Sequence, residues 1–468
     1  MAGSNIGARR YAVAVDFIIA RRDTVTTQLF HFVSDTRFDD IPDPVRNMAR
    51  RCILDLTGTA AAGLSSDLSR IIRNIAVRSF NAGDGAPRAR IIFDGRTASP
   101  AGAAMAGGMT IDSFDAHDGH VLTKGHAGCA IFPALLALAD STRNTISGAD
   151  LMAALVIGYE VAIRAGIAQH ATAPDYHTSG AWNALGVVAM AARLQGLDQE
   201  AFRQALGIAE YHGPRSQMMR CIDFPTMVKD GSGWGAMCGV SAAELASEGF
   251  TGAPALVVES DSVRDLWIDL GTRWRILEIY FKPYPICRWA QPAVEASLVL
   301  RQTHGVTAPD IEAIEVETFH EAVRLDQHRP ASTEEAQYSL PFPVAAAVVR
   351  GRLAPTDISG AALHDPEILA MSDRILLREA DDLNARFPAE RFARVTFRLK
   401  DGRVLQSETT PARGDAERPL SDLEILEKFK AVASEALGTR AGDIVAAVDK
   451  LPEEASSRTL LDLLLNHC

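Results

Sequence analysis

The chain has 468 residues, 47% of them hydrophobic and 23% charged, with a formal net charge of -12. That is an ordinary globular composition, long enough for two domains or for one large domain with an insertion. Its acidic balance argues against nucleic acid or an anionic membrane as partner, because both require a basic face. The six cysteines are scattered without a Cys-x-x-Cys pair, which signals neither a disulfide framework nor a zinc or iron–sulfur site and suits reduced thiols in the cytoplasm.

In chain order, the first apolar run, Ala12 to Ala20, is broken by Asp16 and followed by Arg21 and Arg22, too short for a span of about 20 residues. Arg9 and Arg10 before it resemble the start of a secretory or twin-arginine signal, but no clear cleavage site follows. From about residue 24 to 270 apolar residues recur at three- and four-residue spacing, predicting helices over Pro44 to Leu64, Pro100 to Phe114, Ile131 to Asp140, Gly148 to Ala168, Trp182 to Gln195 and Gln199 to Ala209.

After about Arg273 the pattern changes. Strands are expected at Ile311 to Thr318, Arg374 to Glu379 and Arg394 to Leu399, the last turning through Asp401-Gly402 into Arg403 to Ser407. Helical patterns at Pro292 to Thr303 and Pro341 to Arg350 alternate with them, and helix returns at Leu420 to Leu437 and Ala441 to Lys450. The expected fold is mainly α with an α+β part: an all-helical domain from residues 1–272 and 412–468, with a smaller α+β lid domain, 273–411, inserted. A cleft between two such domains is a common ligand site.

The densest set of titratable groups is Asp112 to His126, with carboxylates at 112, 115 and 118 and histidines at 117, 120 and 126. It ends a helix and enters a glycine-containing loop, where catalytic groups concentrate. A solvated, capped loop is the plain alternative. A metal-dependent hydrolase built on His117 and His120 is another, but the spacing is not His-Glu-x-x-His and no third histidine is placed as a ligand, so no metal is expected.

Further candidates are Tyr176 and His177 at a helix junction, Lys229, and Lys282 with Arg288 where the two domains meet. A desolvated lysine can serve as acid or base near neutrality, and an arginine suits a bidentate carboxylate contact. Gly231-Ser232-Gly233-Trp234-Gly235 follows no strand and lacks a Walker lysine, so it reads as a close helix–helix contact and not a nucleotide loop. The absence of a Gly-x-Ser-x-Gly elbow leaves an α/β-type serine hydrolase without support. A non-catalytic helical scaffold would leave the titratable cluster without a purpose.

Asp55-Leu56-Thr57-Gly58, the Asp115 to His126 cluster, Gly158-Tyr159-Glu160-Val161, Tyr176-His177, Lys229 and Lys282-Pro283-Tyr284-Pro285 followed by Cys287-Arg288 stand in one order along the chain. In that order the chain resembles the MmgE/PrpD family, which includes 2-methylcitrate dehydratase, cis-aconitate decarboxylase and iminodisuccinate epimerase. The resemblance implies a helical domain with an α+β lid, a homodimer, no cofactor, and a small polycarboxylate substrate from which a proton is taken beside a carboxylate. It carries Asp115, His126, His177, Lys229 and Lys282 over as catalytic residues, and Arg288, His120 and Tyr176 as substrate-binding ones. Dehydratase and decarboxylase members commonly carry threonine where Gly119 stands here. Loss of that hydroxyl points to the epimerase branch, with a dehydratase or decarboxylase as the alternative, and to His126 and a lysine as opposed acid and base.

Overall fold

In the computed structural model, which describes residues 25–416 and 418–468, the chain is mainly α with an α+β part. The signal-like stretch from Arg9 to Ala20 lies outside the described residues. Helices form at Asp43–Gly63, Pro100–Asp112, Gly128–Ser141, Gly148–Thr172, Gly180–Gln195 and Gln199–His212. Local chemistry sets several starts: the Ser99, Ser147 and Asp198 side chains accept hydrogen bonds from the backbone N–H groups of Gly102, Asp150 and Ala201. Gly148–Thr172, the one described helix long and apolar enough to cross a membrane, is packed inside the fold. Its buried Glu160 and Arg164 pair at 3.3 Å, and Arg164 donates to the carbonyls of Leu266 and Arg273, fastening the segment that leads toward the second half of the chain.

Two apolar cores result. One gathers the helices up to Phe281 together with Leu420 to Leu465; the other runs from Tyr284 to Leu399 and takes in Phe114, Ala116, Met218 and Cys221. The second is built on a sheet in which Ile311–Thr318 pairs in parallel with Ile375–Glu379 and antiparallel with Phe392–Leu399, which in turn pairs with Val404–Gln406 and Thr410–Pro411. Alternate residues Ala393, Val395, Phe397 and Leu399 are buried, and helix Gln291–His304 packs against that strand.

Helices Asp67–Ser79, Ser232–Ser247 and Arg458–Leu465 join the first core beyond those that periodicity marks. The glycine-rich start of Ser232–Ser247 is a close helix contact. A Cβ at Gly233 would run into the backbone of Met105 and Met109, so Gly233→Ala should destabilise the protein by about 1–3 kcal/mol. Gly442, with open space around its Cβ position, lies inside helix Arg440–Lys450, and Gly442→Ala should stabilise by roughly 0.5–1 kcal/mol. Urea unfolding of the two variants checks both signs.

Candidate active site

The loop after Pro100–Asp112 is placed by a two-residue strand. Gly119 and His120 pair antiparallel with Tyr280 and Ile279, and a bridge from His120 to Gly125 closes the loop. This pairing sets the Asp115–His126 cluster beside the segment that carries Lys282 and Arg288. From the other side Lys428, on helix Asp422–Leu437, donates to Asp55 Oδ1 and the Ala116 carbonyl, each at 2.5 Å. Both ends of the loop are therefore held by residues far away in sequence.

A cleft of about 230 Å³ opens there, lined by Asp115, His126, Lys282, Arg288, His120 and Tyr176 among others. It lies below the roughly 300–1,000 Å³ of drug-sized ligand pockets and suits a small metabolite. The Lys282 ammonium contacts Asp115 Oδ1 directly, and both side chains are almost wholly buried. Burial alone would raise the Asp115 pKa, but the charge of Lys282 holds it well below the usual carboxylate range. Burial likewise acts to lower Lys282, and Asp115 and Tyr280 reverse the sign, so Lys282 stays a cation.

His126 Nδ1 lies 2.6 Å from the Asp118 carbonyl. A carbonyl only accepts, so Nδ1 carries the proton, and Nε2, 3.8 Å from Asp115 Oδ1, presents its lone pair to the cleft. Burial first, then the charges of Lys282 and His117, push the His126 pKa well below that of free imidazole. The result is a neutral base beside a fixed cation. Its backbone is held as well: His126 N–H donates to Ser179 Oγ at 2.9 Å, and Ser179 donates to Asp230 from both its hydroxyl and its N–H.

Asp230 is buried beside Asp112, and burial followed by that neighbouring charge pushes its pKa up to about 8. An acid raised in this way binds more protons folded than unfolded between its ordinary value near 4 and its raised one, so it makes stability decline as pH rises through that window. Asp230→Asn mimics the neutral carboxyl. The difference in Tm between wild type and Asp230→Asn should change in favour of the variant from pH 6 to pH 9, as thermal melts in a buffer series would show.

Not every residue singled out in the sequence reaches the cleft. Lys229 lies behind it, donating to Gln337 Oε1 at 2.7 Å with its ammonium 5.0 Å from the Tyr338 ring. Gln337 also accepts from Asp115 N–H at 2.8 Å and donates to the Ser113 carbonyl, so Lys229 is linked to Asp115 by hydrogen bonds through this amide and acts on its carboxyl by charge. His177 is buried outside the lining, its ring 5.5 Å from that of His170 and its backbone bridged to Gln217. His120 Nδ1 accepts from Leu122 N–H, and Nε2 stands 3.4 Å from Glu278. Tyr176 donates to the carbonyl of Lys124 at 2.5 Å, holding that non-glycine residue at a φ of 50°, a strained conformation of the kind found at functional sites.

The histidine pair His117 and His120 does not form a joint ligand set. The groups that converge are Asp115, His117 and His126, and separately Asp112, His117 and Cys129, each within 4.8 Å. A dication in the first would face the Lys282 ammonium already resting on Asp115. Gly119 is explained by packing: a Cβ there would collide with the ring and hydroxyl of Tyr280, which itself lines the cleft. A side-chain hydroxyl thus stands at position 119's side of the cleft after all, supplied by the opposite strand. Tyr280, Gln337, Tyr338, Lys428 and Arg391 are site residues that sequence reading misses.

Comparison with known proteins agrees with this architecture. Residues 27–268 match the MmgE/PrpD N-terminal domain and residues 284–451 the MmgE/PrpD C-terminal domain. Similar proteins include the cis-aconitate decarboxylase-like protein oryM of Aspergillus oryzae, 22% identical over 94% of this chain and 97% of that protein. The cis-aconitate decarboxylase of Aspergillus terreus is 23% identical, covering 94% of this chain and 96% of its own. That of Homo sapiens is 23% identical, with 94% of each chain covered. With both domain matches in sequence order and together spanning most of its length, the chain belongs to the MmgE/PrpD family.

Proposed function

We propose that the protein is a cofactor-independent acid/base lyase of a small polycarboxylate, forming an enolate beside a carboxylate and releasing carbon dioxide. The observation that carries this reading is the neutral His126 facing the buried Lys282–Asp115 pair. In the free protein His126 is a base. A polyanion bound beside it favours its protonated form, so the same imidazole delivers a proton to carbon once carbon dioxide has left, while the Lys282 ammonium holds the enolate charge. The names of the relatives support a lyase over an epimerase. The glycine at 119 no longer favours an epimerase, because packing against Tyr280 accounts for the absence of a side chain there.

Proton NMR in deuterium oxide tests this with cis-aconitate, 2-methylcitrate and iminodisuccinate. The expected result is loss of carbon dioxide from cis-aconitate with one deuterium in the product. Water loss from 2-methylcitrate alone would make the protein a dehydratase. Inversion at a deuterated α-carbon with neither alkene nor carbon dioxide formed would restore the epimerase.

A further inference from the structure

Two guanidinium groups face the cleft, each supported by an aromatic ring. Arg288, 6% exposed, has Cζ 4.4 Å over the Tyr280 ring. Arg391, just before lid strand Phe392–Leu399, has Cζ 5.8 Å from the ring of Phe387, which is stacked on Phe319 at 4.7 Å. Both arginines line the cleft, and the Nε of each is buried without a hydrogen-bond partner.

The charges are unevenly matched. Arg288 pairs with Asp415. Among the described residues no carboxylate lies within 4.0 Å of Arg391, although Glu321 lines the same cleft. Burial pushes Arg288 down from the usual guanidinium range, Asp415 opposes this, and the charge of Arg391 adds to it, so the two cations are close enough to repel. In a chain of net charge -12, the cleft lining carries Lys124, Lys282, Arg288 and Arg391 against Asp115 and Glu321.

Buried donors without acceptors are destabilising, and two like charges converging on one space add to that. A carboxylate answers both, since its two oxygens match the planar fork of a guanidinium and its charge relieves the repulsion. Lys282, already resting on Asp115, serves the reacting end of the substrate.

We propose that Arg391 and Arg288 form a second carboxylate subsite, which holds the additional carboxylate of a tricarboxylate and so selects tricarboxylates over dicarboxylates. This rests on the polycarboxylate reading above and makes Arg391 the specificity-determining residue.

Two unreactive probes test it: tricarballylate, with three carboxylates, and glutarate, which lacks the middle one, titrated calorimetrically into the full-length protein. Wild type should bind tricarballylate at least about tenfold more tightly, and Arg391→Met should weaken tricarballylate about 10- to 100-fold while changing glutarate less than about twofold. Arg391→Lys, which keeps the charge and loses the fork, should fall between them and serves where the methionine variant fails to fold. Equal losses for both probes, no loss, or no binding of tricarballylate by wild type would overturn the subsite. Binding that depends on Arg391 without turnover of any polycarboxylate would leave the subsite standing and remove the lyase. Turnover with an unchanged affinity ratio in Arg391→Met would do the reverse.

Discussion

Replacing His126 with glutamine should lower kcat by about 10²- to 10⁴-fold, the usual contribution of a positioned acid/base, and leave KM within a few-fold. The imidazole makes its anchoring bond through Nδ1 to the Asp118 carbonyl, so only Nε2 is free for substrate. His126→Asn retains a donor at the Nδ1 position and loses Nε2; it should be as inactive as the glutamine variant, which separates chemistry from anchoring. Deuterium incorporation into product is the direct readout, and either variant exchanging within tenfold of wild type would remove His126 from the proton path.

The pH behaviour of His126 has a definite sign. Its pKa is held well below the ordinary imidazole value by burial, Lys282 and His117. The unfolded chain therefore binds a proton first as pH drops below about 6.5, and the folded state loses stability through that window. His126→Gln should abolish this part of the acid destabilisation.

Helix and strand positions were legible because each rests on local signals. Ile311–Thr318 and Pro341–Arg350 form over the residues that alternation and helical spacing predict, and a capping serine or aspartate stands at the start of helices Pro100–Asp112, Gly148–Thr172 and Gln199–His212. The titratable loop was legible because its groups are adjacent in sequence. What escaped sequence reading depends on contacts across the chain. Gln337 meets Asp115 from 222 positions away, and Lys428 reaches Ala116 from 312; nothing near either residue sets it apart from an ordinary polar side chain. Gly119 shows the converse. Alone it reads as a lost hydroxyl, yet its meaning comes from Tyr280 across a two-residue strand pair, too short to produce a periodic signal.

Lys282→Met should cost both stability and activity, and a second substitution separates the two. Removing the ammonium leaves Asp115 buried with its nearest opposite charge gone, and breaking such a pair from one side typically costs about 3–5 kcal/mol. In wild type the Asp115 pKa is depressed against the effect of burial, chiefly by Lys282. The pair's contribution is therefore fully present above the ordinary carboxylate pKa and is lost as pH falls through the folded value. In Lys282→Met burial dominates, and the remaining stability should rise on mild acidification, which protonates Asp115. Adding Asp115→Asn removes the uncompensated charge, so the double variant should recover most of the urea midpoint and no longer gain stability from protonation at position 115. Activity should not return, because the cation that holds the developing enolate is still missing; a loss of at least about 10²-fold is the scale for one such group. If the double variant regained turnover along with stability, Lys282 would be a structural partner of Asp115 and the enolate charge would have to be held elsewhere in the cleft, with Arg288 the nearest cation in sequence.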